Sequence, residues 1–251
     1  MIYVCIPAHN EAATVGLLLW KVRKALGEFG RDYRVVVLDD ASTDGTDEVL
    51  RRYRRSLPIT LLRSEERLGY ARSVERLLRH AVDEAPYPKR DCAVILQGDF
   101  TESPDDVVGL VKAVEGGADI VAGCLAPGGV RAPVSVRVTR GLARVALGRA
   151  LRKAPVSDPL SGLRAYRIIV LKKALRDLQE GELLFGSEGW AANVDLLRVL
   201  APHARRIAET PLHVRYDRRV RPSRFQALPT LLSLTRLRGS TRWPAPGTEA
   251  A

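Results

Sequence analysis

Three apolar stretches of the chain give out onto acidic side chains: Glu11 in "PAHNE", Asp39 and Asp40 in "VVVLDDASTDGT", and Asp99 in "VILQGDFTESP". If the strands carrying them are parallel, all four carboxylates reach the same edge of one sheet and can converge on one crevice. Carboxylates there suit a divalent cation, and Mg²⁺ needs only one or two of them when phosphate oxygens and water complete its shell. Asp99 is the natural anchor. Gln97, two residues earlier, offers a neutral carbonyl oxygen where a second negative charge would be expected. Asp44 and Asp47 read instead as helix-start residues, and Asn10 as a cap for the first helix. Asp39 and Asp40 resist that reading, because adjacent like charges at a buried strand end need partners.

The elements that must hold these residues are legible in the pattern. "IYVCIP", "YRVVVLDD", "ITLLR", "CAVILQ" and "ADIVAG" read as strands, and amphipathic stretches lie between them. In the first of these Val15, Leu18, Leu19, Val22 and Leu26 recur at helical spacing. Further helices are expected over about 44–55 and 70–84, and from Ser103, where Pro104 stands at the first helical position and Asp105 and Asp106 fill the first turn. Alternating strands and helices imply an α/β fold, a mostly parallel sheet with helices on both faces and right-handed crossovers. After Gly123 the pattern changes. A Gly/Pro loop precedes a basic helix candidate in which Arg137, Arg140 and Arg144 fall opposite Val138, Leu142 and Val145. Helices near 171–178 and 188–200, a strand in "RRIAETPLHVRY", an apolar-faced segment from Phe225 and a disordered tail over 239–251 complete the reading.

Composition narrows the class. At 251 residues and 46% hydrophobic content the chain can bury a large core, and one domain is expected over 1–238. The three cysteines, Cys5, Cys92 and Cys124, lie in or beside apolar runs, and their odd number argues against a disulfide framework, which predicts buried, reduced thiols in a cytosolic protein. No apolar run is long enough to span a bilayer, and Met1 leads straight into a strand, which predicts no leader. A net charge of +11 favours an anionic partner: nucleic acid, a membrane surface or a phosphorylated substrate. With 6% aromatic residues and no recognition motif, nucleic acid ranks last. There is no GxGxxG, no GxxxxGK[ST] and no His/Cys cluster at zinc spacing, and His9 reads as a loop residue.

Taken in order, "PAHNEAATV", "VVVLDDASTDGT", "QGDFTESPDD", "DIVAG" and "DPLSGLRAYR" resemble family 2 glycosyltransferases of the GT-A fold. "DPLSGLR" and the late "RRVRPSR" are similar to the dolichyl-phosphate mannose synthase branch, and the resemblance runs from Ile2 to about Leu237. It implies a nucleotide-sugar-binding half over 1–123 and an acceptor- and membrane-facing half over 124–238. Pro7, Ala8, Glu11, Asp40 and Asp39 would hold the nucleoside base and ribose. Gln97, Gly98 and Asp99 match the family's DxD pair, which holds Mg²⁺ or Mn²⁺ on the donor diphosphate, and Thr101 stands where this branch often has a metal-contacting Gln. Ser161 and Arg164 match its SGFR motif, while Arg218, Ser223 and Arg224 approximate its RxxGxSK; both motifs would contact phosphate. Arg131 is a further candidate for the acceptor phosphate. This chain departs from the pattern at Gln97 for Asp, Leu163 for Phe, Arg221 for Gly and Arg224 for Lys.

The implied reaction is inverting transfer of mannose or glucose from GDP-mannose or UDP-glucose to a dolichyl or undecaprenyl phosphate. It would proceed at the cytoplasmic face of a membrane, with the enzyme peripheral. A phosphomonoester is largely dianionic at neutral pH and needs no general base. A hydroxyl acceptor would need one, and Asp158 or Glu188 are the candidates. The rival readings are a non-catalytic nucleotide-sugar-binding protein, suggested by Gln97, and a transferase to a sugar hydroxyl.

Overall fold

The computed structural model describes residues 1–99, 101–125, 138, 154–179, 182–213 and 243. The candidates Arg131, Arg218, Ser223 and Arg224, the basic helix carrying Arg137, Arg140 and Arg144, the segment from Phe225 and the tail lie outside these residues. The described strands are β1 (Ile2–Ala8), β2 (Tyr33–Asp40), β3 (Ile59–Ser64), β4 (Cys92–Ile95), β5 (Ile120–Leu125), β6 (Arg164–Arg167) and β7 (Ile207–Leu212). They form one sheet in the order β3-β2-β1-β4-β6-β5-β7. β6 runs antiparallel to β4 and β5, and every other neighbouring pair is parallel.

Helices cover both faces. α1 (Ala12–Phe29), α2 (Thr46–Tyr53) and α4 (Pro104–Glu115) pack on one, while α3 (Tyr70–Glu84), α5 (Ile168–Arg176) and α6 (Trp190–Leu200) pack on the other. Alternation along the central strands feeds both layers: Val35 and Val37 join the α1 side, Val36 and Leu38 the α3 side. The five α1 residues singled out by periodicity are all buried. Cys5 and Cys92 are buried free thiols, and burial pushes each up to about 12. Among the described residues no helix is long and apolar enough to cross a membrane.

Several local expectations are corrected. The helix expected over 44–55 is the shorter Thr46–Tyr53, because Gly45 turns left-handed at φ 87°; Asp44 stands just ahead of it, its Oδ1 accepting the Thr46 N–H at 3.1 Å and its Oδ2 the Ala12 N–H at 3.0 Å. The helix expected near 171–178 begins at Ile168, and the one expected from 188 begins at Trp190. Asn10 does not cap α1. Its Oδ1 accepts the Thr43 N–H at 2.7 Å, and the Ala12 N–H at the helix start is met by Asp44 Oδ2 at 3.0 Å. Ser103 occupies the cap position of α4, but its hydroxyl bonds Asp105 rather than the helix backbone. β6 had no strand signature in the sequence. Four residues, "RAYR", with a buried arginine at their start, hide a central strand from any alternation rule. Arg167 then staples its far end: Nε meets Asp119 Oδ1 at 2.9 Å, and Nη2 meets the carbonyls of Val114 and Ala118 at the end of α4.

Candidate active site

Because β1, β2 and β4 are parallel, their carboxyl ends share an edge, and the loops that leave them are stitched together there. Ala8 pairs with Asp39 in the register of β1 and β2. Across the next turn the Asn10 N–H donates to Ser42 Oγ at 2.8 Å, and the Glu11 N–H to Thr46 Oγ1 at 2.8 Å. On the other side Gly98 lies against β1, where a Cβ would stand 3.2 Å from the Pro7 carbonyl and 3.4 Å from Glu11 Cγ. The Thr14 hydroxyl lies 2.9 Å from Glu11 Oε2 and 3.0 Å from the Gly98 carbonyl. Pro7, Ala8, Glu11, Asp39, Asp40, Gly98 and Asp99 are thus brought to one edge, as the strand-end argument requires.

The two adjacent aspartates differ sharply. Asp40 spends both oxygens on the loop ahead of α3, accepting the Leu68 N–H at 2.6 Å and the Gly69 N–H at 3.0 Å. Its backbone carbonyl accepts a bond from His9 Nδ1, which leaves His9 Nε2 to accept from Arg67. Asp39 is 2% exposed; its Oδ1 accepts the Ser42 N–H at 3.1 Å, and its Oδ2 is buried with no hydrogen-bond partner. A buried carboxylate oxygen without a donor is costly, which marks it as an atom made to meet one.

The loop after β4 carries the second such atom. Asp99 Oδ1 accepts the Thr101 N–H at 3.1 Å, and Thr101 Oγ1 is buried without a partner. Behind it stands Glu102, a further carboxyl of "QGDFTESPDD" that no spacing in the sequence marks. Glu102 Oε2 accepts the Gln97 N–H at 3.2 Å. Burial pushes its carboxyl up to about 8; the Gln97 and Leu163 N–H groups oppose that rise, and the charges of Asp99 and Asp106 add to it. Among the described residues no three His, Cys, Asp or Glu side chains group to hold a metal by themselves. Asp99 and the orphaned Thr101 hydroxyl nonetheless fit an ion that brings phosphate oxygens with it.

The "DPLSGLR" segment meets this loop from the far side. Gly162 lies directly under Gln97, and a Cβ on it would be 2.6 Å from Gln97 Nε2. Ser161, next to it, is buried. Arg164 is not turned to an open phosphate site: it is 1% exposed, and its guanidinium donates to the carbonyls of Asn193 and Pro159. Asn193 Nδ2 donates to the Leu160 carbonyl at 3.1 Å, and its Oδ1 accepts from the Tyr70 hydroxyl at 3.0 Å. Burial raises the Tyr70 phenol, with the Glu102 charge adding to it, so it stays a donor. Of the two candidate bases, Asp158 Oδ1 accepts the Leu160 N–H at 3.2 Å, and Glu188 Oε2 accepts the Ala71 N–H at 3.4 Å at the start of α3. Only Gly and polar positions signal this arrangement in the sequence, so Tyr70, Asn193 and the Gly162 contact were not recoverable from periodicity.

A mostly parallel sheet with one antiparallel insertion, helices on both faces and polar loops at one edge is the GT-A arrangement. Residues 3–175 match the family model described as Glycosyl transferase family 2, and the chain belongs to that family. It is 29% identical over 168 residues to the dolichol-phosphate mannosyltransferase of Pyrococcus furiosus, covering 65% of this chain and 45% of that protein. It is 27% identical over 172 residues to the undecaprenyl-phosphate 4-deoxy-4-formamido-L-arabinose transferase of Aeromonas hydrophila, covering 66% and 49%. The chain therefore spans about half the length of the curated relatives it matches. Among solved structures, glucosyl-3-phosphoglycerate synthase from Mycobacterium tuberculosis, in complex with Mn²⁺, UDP and glucosyl-3-phosphoglycerate, superposes with a TM-score of 0.62 at 24% identity, covering 96% of this chain and 78% of that one. A mannosyltransferase from Pyrobaculum calidifontis in complex with GDP-Man and Mn²⁺ gives 0.55 at 24% identity, covering 84% and 54%.

Proposed function

We propose that this chain is an inverting glycosyltransferase that moves a hexose, mannose or glucose, from a nucleotide sugar to a polyprenyl phosphate at a membrane surface. The observation that carries the reading is the pair of orphaned buried atoms, Asp39 Oδ2 after β2 and Thr101 Oγ1 after β4. Those strands flank β1, so their ends stand two strand spacings apart, about 10 Å, a span a nucleoside diphosphate can bridge. Asp39 accepts a hydrogen bond from the nucleoside. Asp99 and Thr101 would hold Mg²⁺ or Mn²⁺ together with the diphosphate, and Gly98 lets their loop pack close against β1 at Pro7 and Ala8. The ion, when bound, supplies positive charge against the leaving diphosphate.

Among the described residues, the two candidate bases are both engaged, which favours an acceptor that needs no base. Asp158 and Glu188 both hold backbone N–H groups. A dianionic phosphate acceptor needs neither of them: its oxygen forms the bond to the anomeric carbon as the bond to the nucleoside diphosphate breaks. The two curated relatives are named for polyprenyl phosphates, which agrees with this acceptor. Arg131, Arg218 and Arg224 are assigned to the phosphates, since guanidinium forks suit them, and the basic segments of 124–238 to an anionic membrane face on the cytoplasmic side.

Calorimetric titration of GDP-mannose and UDP-glucose, each with and without Mn²⁺, tests the donor half. One nucleotide sugar binding only with metal, followed by label transfer from it to polyprenyl phosphate, is the expected result. Binding of neither donor under any metal condition would sink the reading in favour of a site that has lost its ligand.

A further inference from the structure

The first half of α1 is apolar on both of its faces. From Ala12 to Trp20 it reads "AATVGLLLW", and its one polar side chain, Thr14, is buried. Val15, Leu18 and Leu19 serve the core. The residues open to solvent are Ala13, Leu17 and Trp20, with Leu17 54% and Trp20 49% exposed. A helix that is apolar all round is normally covered all round. One exposed leucine needs no explanation, but an outer face with nothing polar on it for two turns does. Cations frame this face. The Lys21 ammonium lies 5.8 Å from the centre of the Trp20 ring, and Trp20, Arg23, Lys24, Gly27 and Glu28 line an open groove of about 320 Å³. α2 runs alongside, since a Cβ on Gly16 would stand 3.3 Å from the Tyr53 hydroxyl and 3.4 Å from Val49. Over 20–28 and 46–55 seven basic side chains stand against three acids, which makes this side of the molecule positive. Of those acids, Glu28 is 4.0 Å from Lys24, Asp47 is paired with Arg51 and Arg63, and Glu48 is exposed.

Charge decides what covers the face. A second copy meeting it about a two-fold axis would set one basic rim against another. An anionic bilayer answers both features: the indole and the leucine enter the headgroup boundary, and the arginine and lysines meet lipid phosphates. We propose that the outer face of α1, from Ala13 to Gly27, docks on anionic lipid, with a lipid phosphate in the groove beside Trp20. It is a membrane contact of the nucleotide-binding half, apart from the basic segments of 124–238. Docking here serves the proposed transfer and rests on that reading for its purpose. α1 starts at the donor edge, where the Thr14 hydroxyl bonds Glu11 and the Gly98 carbonyl. At 1.5 Å per residue, Leu17 and Trp20 lie about 8 and about 12 Å along the helix from Ala12. A bilayer seated there keeps the donor edge close to lipid phosphates, the chemistry of the proposed acceptor.

Co-sedimentation with vesicles of phosphatidylcholine, alone or mixed with an equal part of phosphatidylglycerol, tests this, alongside Tm and calorimetric binding of GDP-mannose and UDP-glucose with Mn²⁺. Wild type is expected on the mixed vesicles and not on the neutral ones. Leu17→Ala/Trp20→Ala is expected to weaken that binding about tenfold and Arg23→Glu/Lys24→Glu about thirtyfold. Lys172→Glu/Arg176→Glu makes the same charge change at exposed positions of α5, across the sheet, and is expected to weaken it about threefold or less. All three variants are expected to keep the Tm and the nucleotide-sugar affinity of wild type. Variants of α1 that bind as tightly as wild type, a loss as large in the α5 variant, or equal binding of wild type to neutral vesicles overturns the α1 docking alone. A wild-type dimer in sedimentation velocity that Trp20→Ala breaks gives the face to a second copy and overturns it as well. Wild type that ignores the mixed vesicles overturns the docking together with the membrane part of the proposed function, while nucleotide-sugar binding still decides the donor half.

Discussion

Gln97 lays its amide on Gly162: the Nε2 atom sits 2.6 Å from where a Cβ would be, which joins the end of β4 to the segment that opens β6. Gly162→Ala drives a methyl group into that amide. The displaced atom is the free end of a flexible side chain, so the fold gives way cheaply, and the Tm is expected to drop by only about 2 °C. The Asp99 loop loses its seat, however. Nucleotide-sugar binding measured by calorimetry is expected to weaken about tenfold, and an unchanged affinity would separate Gln97 from the donor site.

Asp39 and Asp40 are neighbours with different work, and substitution should separate them. Asp40 bonds two backbone N–H groups, so Asp40→Ala leaves both without an acceptor at a cost of about 3 kcal/mol, or roughly 9 °C in Tm. Asp39→Asn keeps an acceptor for Ser42 and removes the charge that the proposed function assigns to the nucleoside. Its Tm is expected to stay near wild type while nucleotide-sugar binding falls. Equal effects of the two substitutions on Tm and on binding would contradict the division.

How much of this was legible is clear from the same two residues. The apolar run before them fixed β2 and its edge, because three valines and a leucine alternate between two buried faces. Which aspartate keeps an unpartnered oxygen was not legible, since it depends on Leu68 and Gly69 folding back from another loop. β6 escaped for a related reason: its pairing with β4 and β5 is decided by distant strands, and Arg164 breaks the apolar run that would have announced it. Glu102 lay in a loop already marked as acidic. Its importance comes from burial, and a single sequence carries no signal that separates it from a solvated loop acid.

Glu102 also gives the protein a pH signature. Its folded value, about 8, lies above the ordinary 4.5, raised by burial first and then by Asp99 and Asp106 against the Gln97 and Leu163 N–H groups. The folded state thus holds this proton where the unfolded chain releases it. The stabilisation is present below about 4.5 and is lost as pH climbs to about 8. Glu102→Gln cannot titrate, so the Tm of wild type minus that of the variant should shrink steadily from about pH 5 to about pH 8. A difference that stays flat across that window would mean that the carboxyl is ionised throughout.

Arg164 decides between two roles for the "SGLR" segment. In the structure its guanidinium bridges the carbonyls of Pro159 and Asn193 inside the protein, with Nε buried and unpartnered. Lysine carries the charge but not the planar fork and cannot span both carbonyls from one nitrogen. If bridging is its work, Arg164→Lys leaves a buried carbonyl unsatisfied and lowers the Tm by about 5 °C, while the calorimetric affinity for the nucleotide sugar below the transition stays within about threefold of wild type. A phosphate-binding arginine gives the opposite pattern: an unchanged Tm with affinity or turnover lost. The guanidinium is only 1% exposed, so the first pattern is expected, and the second would require the 159–164 segment to open before phosphate could reach it.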